Sequence, residues 1–235
     1  MERCYKKIKK SDLRRTILAN PGLLQDLIRQ YRSKPAEEYD FSNDPTGQIV
    51  WYEIAKEFAE DNPINLSRQL NSKEDVFQTV IDICNHFKYL IENNSLNKMF
   101  YAKDGKLRHE RFMQLLFFGI ADSYCEANNI DMNREPNAGR GPVDFKFSKG
   151  YNAKVNVEVK HTSNTNLYRG YTTQLPIYNK QENTNLSIYL VLETSKTSNA
   201  LERIYKLNNK ERSKGNRIPE IITADATLKP SASKS

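Results

Sequence analysis

The chain has 235 residues, 38% of them hydrophobic and 10% aromatic, enough to build a core and too much for a wholly disordered polypeptide. Mean hydropathy is -0.75, no apolar run approaches the roughly 18 residues of a membrane helix, and Met1–Lys7 lacks the apolar stretch of a leader. A soluble, cytoplasmic protein with no membrane partner is expected. The net charge of +7 is uneven: residues 1–15 carry seven Lys/Arg against two acids, residues 196–217 again seven against two, so each sums to +5 and the remainder to -3. Basic ends around an acidic middle suit a polyanionic partner gripped around a carboxylate site. Cys4, Cys84 and Cys125 are odd in number and far apart, which argues against a disulfide framework or a cysteine zinc site. His86, His109 and His161 are too scattered for a histidine metal site.

Residues 11–31 read as a helix, broken near Asn20-Pro21-Gly22, and residues 33–47 as a loop. A helix is expected over Ile49–Glu60, with Trp51 in its packing. Another is expected over Ser72–Asn93, where Val76, Val80, Ile83 and Phe87 recur at helical spacing. Ser72 and Asp75 have the spacing of a capping box. The first 97 residues thus read as an all-helical region for substrate selection or dimerisation. Residues 98–228 read as a second domain, and 229–235 as a tail.

From residue 108 the period changes. A helix over 108–128 leads to a short strand at Ile130–Arg134. Two strands of period two come next: Val143, Phe145 and Phe147 alternate with Asp144, Lys146 and Ser148, and Val155, Val157 and Val159 with Asn156, Glu158 and Lys160. Each strand should bury its apolar row and present its polar row to a cleft. Residues 165–182 read as helical, Leu186–Leu192 as a central strand buried on both faces, Asn199–Asn208 as a basic helix and Ile218–Thr223 as a last strand. The order is helix, strand, strand, strand, helix, strand: a mixed-sheet α/β or α+β sandwich.

The polar rows carry the chemistry. Hydrolysis of a phosphodiester on Mg²⁺ needs two or three hard oxygen ligands and a water held in line with the leaving oxygen. Asp144 on one strand, with Glu158 and Lys160 on one face of the next, can supply two carboxylates and an ammonium if the strands are neighbours. An acid-x-Lys triplet by itself carries little, since Asp104-Gly-Lys106 and Asp144-Phe-Lys146 also occur. Context separates them. The Gly-rich turn Asn137-Ala-Gly-Arg-Gly-Pro-Val delivers Asp144 to a strand, whereas a site on Lys146 would need Glu135 from a loop. Arg140 in that turn and Lys146 are candidates for phosphate contact. His161 should point to the opposite strand face and be structural.

The stretch from about Arg108 to Leu192 resembles the PD-(D/E)XK nuclease superfamily, the fold of many restriction endonucleases and repair nucleases. Pro142-Val-Asp144 stands at the P-D element with one residue inserted, and Glu158-Val-Lys160 at (D/E)-X-K. The resemblance implies a restriction-endonuclease-like αβββαβ core and a Mg²⁺ cofactor, with Mn²⁺ able to substitute. It implies metal ligands Asp144, Glu158 and, from the preceding helix, Glu110. Gln174-Leu-Pro-Ile-Tyr178 matches the letters of the Q-x-x-x-Y found in some branches, which adds Gln174 to the catalytic set with Asp144, Glu158 and Lys160, and Tyr178 to the nucleic-acid contacts. Pro176 falls inside that motif, so the helix should start near Gln174 or be kinked. A duplex-DNA endonuclease of restriction or defence type, acting as a homodimer, is the implied setting. A non-cleaving binding module and an RNA-directed nuclease are the alternatives. Lys160→Ala is expected nearly to abolish cleavage while leaving folding and substrate binding largely intact, and Lys146→Ala to lower affinity or rate only modestly.

Overall fold

The computed structural model describes residues 42, 44, 47–64, 66, 68–134, 143–195 and 198–228. The helix expected over 11–31, the tail over 229–235, Cys4, Glu135 and Arg140 lie outside the described residues. The chain divides at Thr46/Gly47 into two units. The second holds the sheet, its helices and every described candidate residue.

The first layer of this unit is helical. Helix α1, Gln48–Asp61, packs on α3, Glu110–Asn128. The approach is close because α3 has Gly119 at the crossing, where an added Cβ would sit 2.6 Å from that of Ala55. Tyr52 donates from its hydroxyl to Asp122 at 2.6 Å across the same contact. Helix α2, Lys73–Asn93, begins with the expected capping box: Ser72 accepts from the Asp75 N–H, and Asp75 accepts from the Ser72 N–H. Its row Val76, Val80, Ile83, Phe87 and Leu90 is fully buried.

The sheet has five strands in sequential order: β1 Asp131–Arg134, β2 Phe145–Lys149, β3 Ala153–His161, β4 Ser187–Glu193 and β5 Glu220–Asp225. The first three form an antiparallel meander, and β4 and β5 add in parallel to β3. Parallel neighbours need crossovers. The first crossover combines helix α4, Leu167–Arg169, a π turn at Gly170–Gln174, and helix α5, Leu175–Gln181. The second is α6, Asn199–Ser213. The unit is therefore mixed α/β, with the element order read from the sequence.

Pro176 explains the irregular crossover. It falls in the first turn of α5, but the helical backbone runs on from Arg169 through Gln174, so its missing N–H removes a bond to the preceding turn. The preceding turn widens instead, and Leu175 donates to Gly170 five residues back.

Two cores flank the sheet. Phe145, Phe147, Val155, Val157, Val159, Ile188 and Leu190 face α1–α3, and Tyr189 and Val191 face α4–α6. Cys84 and Cys125 are buried in the first core, and Trp51 packs at its margin, edge-on to Phe112. Residue 97, the boundary suggested by the sequence, falls inside this one unit. Helix α2 lies directly on β2, β3 and β5, and α1 joins the same core by packing on α3.

A chain starting near residue 98 should consequently fail to fold. It would lose the buried row of α2, each side chain of which stabilises by about 1.5–3 kcal/mol. A flat thermal melt monitored by circular dichroism is the expected result, and a cooperative transition would contradict it. Among the described residues no helix is long and apolar enough to cross a membrane.

Candidate active site

The antiparallel register of β2 and β3 sets Phe145 opposite Val157. Asp144, one residue before β2, is thereby carried to Glu158, and its N–H lies 3.5 Å from Glu158 Oε2. Both side chains stand on the face away from α2, as the alternation requires. Lys160, two residues on, shares that face. Its Nζ lies 2.9 Å from Glu158 Oε1, 3.3 Å from Asp144 Oδ2 and 3.2 Å from Glu110 Oε1. Glu110 comes from the first turn of α3, where a carboxylate is favoured by the helix dipole. Four residues from two strand ends and a helix start thus converge on one point.

Further hydrogen bonds fix the carboxylates. Asp144 Oδ2 accepts from the Val159 N–H at 2.8 Å. Glu110 Oε2 accepts from Asn164 Nδ2 at 2.7 Å and from the His161 N–H at 3.4 Å. Asn164 is itself set by the turn after β3, its Oδ1 accepting from the Asn166 N–H at 2.8 Å. Sequence reasoning missed Asn164, because nothing in a lone loop Asn signals a bond to a residue 54 positions earlier. His161, read as structural and facing away, does face the α3 side. Its Nε2 still lies 3.8 Å from Glu110 Oε2, because Glu110 reaches past the end of β3 from that layer.

The electrostatics derive from burial. Glu158 is only 2% exposed. Loss of water, then the neighbouring Asp144 charge, push its carboxyl up to about 8, against the pull of Lys160. Burial raises Asp144 as well, opposed chiefly by Lys160. Burial by itself would depress Lys160, but Asp144, Glu158 and Glu110 together outweigh it and hold the ammonium charged. Three carboxylates around one ammonium leave the site short of positive charge whenever all are ionised.

The donor set suits a hard divalent cation: carboxylate oxygens only, partly desolvated, with a surplus of negative charge. In the present arrangement the Lys160 ammonium occupies the point on which they converge. Among the described residues, no group of three or more His, Cys, Asp or Glu stands at metal-holding geometry. Asp144, Glu158 and Glu110 are the residues that would hold the ion once Lys160 draws aside.

The other expected residues differ in their distance from this cluster. Tyr178 is buried on α5. Desolvation first, then Glu158 and Asp144, raise its hydroxyl above the ordinary range, so it borders the cluster. Gln174, one turn earlier, ends the π turn with its Oε1 buried and without a hydrogen-bond partner. Lys146 stands apart. Its Nζ is 3.2 Å from Glu182 Oε2, which also lies 3.6 Å from Lys154. Close behind the site, Gly170 allows Tyr189 to approach: an added Cβ would lie 2.6 Å from the Tyr189 hydroxyl, which donates to the Leu167 carbonyl.

A mixed-sheet α/β sandwich with a carboxylate–lysine cluster at the end of β3 is the class of protein that these features define. Residues 76–196 match the family model described as "Domain of unknown function (DUF8371)", and the chain belongs to that family. The matched stretch contains Glu110, Asp144, Glu158, Lys160, Gln174 and Tyr178. No curated protein and no solved structure matches the chain.

Proposed function

We propose that this protein is a Mg²⁺-dependent nuclease of the PD-(D/E)XK type, cutting phosphodiester bonds with Asp144, Glu158 and Lys160 at the centre of its active site. The observation that supports it is the convergence of three carboxylates from two strand ends and a helix on one buried lysine. Asp144, Glu158 and Glu110 would hold the cation, which supplies charge neutralisation at the phosphate and a more acidic water. Lys160 orients that water or the scissile phosphate. Tyr178 lines the approach from α5, and Gln174, with a free buried carbonyl, is a candidate for water or substrate positioning. Arg140 and Lys146 are proposed phosphate contacts, the latter after leaving Glu182. Duplex DNA, a restriction or defence setting, a homodimer and a cytoplasmic location belong to the same proposal.

The test incubates the purified protein with end-labelled duplex DNA, single-stranded DNA and RNA. Cleavage of duplex DNA with Mg²⁺ or Mn²⁺, none with EDTA, and binding with little cleavage in Ca²⁺ are expected. Cleavage confined to RNA would move the substrate class. Tight binding without cleavage in any metal would leave a non-cleaving module, and full activity in EDTA would remove the metal mechanism. Affinity should also fall steeply with salt through release of counterions from neutralised phosphates. A flat salt response would place the basic clusters away from substrate.

A further inference from the structure

A groove at the opposite end of β3 from the carboxylates has the composition of a second binding surface. Two adjoining cavities of about 370 and about 270 Å³ share Lys73 and Asn152. Lys73, Lys149 and Lys180 line them together with Asn152, Asn183 and Asn185, and no Asp or Glu does. The three lysines come from the start of α2, the end of β2 and the end of α5. Among the described residues none of the three ammonium groups makes an ion pair or hydrogen bond, and the three asparagine side-chain amides are equally uncommitted. This contrasts with Lys146 and Lys154 nearby, both held by Glu182, and with Lys160.

The acids closest in sequence are already engaged. Glu74 lies 3.6 Å from Arg217, and Asp75 closes the capping box. Lys73 breaks a local rule too, since a cation in the first turn opposes the helix dipole. Uncommitted donors from three elements, with one cation placed against its helix, are what a site for an anion requires. At the adjoining hairpin tip Tyr151 is 85% exposed, with Lys154 Nζ 4.9 Å from its ring centroid. An open ring beside a cationic groove suits a base stacked next to its phosphate.

We infer that this groove holds the phosphodiester backbone of the nucleic-acid substrate away from the scissile bond. The inference rests on the nuclease reading for its ligand. From Asn152 to Glu158 the strand rises about 20 Å, equivalent to about six base pairs of duplex. A substrate that reaches from the cluster to the groove gains its contacts, and a shorter one does not.

The experiment measures binding of the full chain to two fluorescent duplexes, one of about 4 base pairs closed by a non-nucleotide linker and one of about 20 base pairs, over a salt series, in Ca²⁺ to suppress cleavage. It compares the natural protein with the triple variant Lys73→Gln, Lys149→Gln, Lys180→Gln. The variant should lose about tenfold or more in affinity for the long duplex, and its salt slope should flatten by about 2–3. The short duplex should bind alike to both. Arginine at all three positions should restore affinity. The melting temperature should not fall, since the lysines carry no partners. Unchanged long-duplex affinity and slope overturn the inference. So does a loss confined to inorganic phosphate or a mononucleotide, which would make the groove a small-anion site. Binding is read without cleavage, so the two proposals fail separately. Weakened binding with no cleavage in Mg²⁺ keeps the groove and removes the nuclease, and normal cleavage with KM unchanged in the triple variant does the reverse.

Discussion

Lys160→Ala should abolish cleavage and also lower the stability of the metal-free protein. On the proposed nuclease reading, loss of the ammonium at the convergence point removes a group that would act on the reacting phosphate, a change worth on the order of 10³-fold in rate. It also leaves Asp144, Glu158 and Glu110 facing one another without compensation. Breaking a buried ion pair by removing one partner costs about 3–5 kcal/mol, lessened here because a carboxyl can take up a proton. The melting temperature should drop by on the order of 5–10 °C, and millimolar Mg²⁺ should recover part of it by replacing the lost charge. Read from the sequence, the same substitution leaves folding intact. The geometry adds a stability cost to that expectation, because Lys160 pairs with three carboxylates besides being a candidate catalyst.

Lys146→Ala is the matched control. It unpairs Glu182, which retains Lys154 at 3.6 Å, so a fall of at most a few-fold in single-turnover rate is expected, since a partly exposed pair contributes about 1 kcal/mol or less. A dead Lys146→Ala beside an active Lys160→Ala would show that the active-site register is wrong.

The second large effect is on pH. In the unfolded chain Glu158 ionises near 4.5, its ordinary value, whereas in the folded protein burial and Asp144 hold it protonated to about 8. A raised folded value contributes stability that is complete below the unfolded one. As pH rises from about 5 the unfolded chain releases the proton while the folded protein keeps it, so the contribution shrinks and is gone above about 8. Asp144 moves in the same direction, and Lys160 stays charged throughout.

The metal-free protein should accordingly melt lower at pH 8.5 than at pH 5.5. Glu158→Gln, neutral at every pH, should be spared on the order of 5 °C of that fall. Saturating Mg²⁺ should flatten the slope in the natural protein, because the bound ion requires ionised carboxylates. Calorimetric melts across this range provide the check. Equal slopes for the natural protein and Glu158→Gln would mean that Glu158 is not the group retaining the proton.

The elements and the local chemistry are legible in the sequence. Period-two alternation marks β2 and β3 and shows which face Asp144, Glu158 and Lys160 share, because a strand has only two faces. The Ser72–Asp75 box marks the start of α2, since both its bonds lie within three residues. The unbroken apolar run Leu186–Leu192 marks the central strand, and Pro176 announces the irregular crossover. All these signals are local in the chain.

Relations between distant segments leave no such mark. That α2 lies on the sheet and α1 on α3 depends on packing complementarity between surfaces, such as Gly119 of α3 against Ala55 of α1, which has no periodic trace. That Asn164 fixes Glu110, that Glu182 holds Lys146, and that Lys160 sits among three acids depend on where strands and helices end in space. These relations belong to the folded chain, because a side-chain contact is set by distances of a few ångströms between residues that the chain separates by tens of positions.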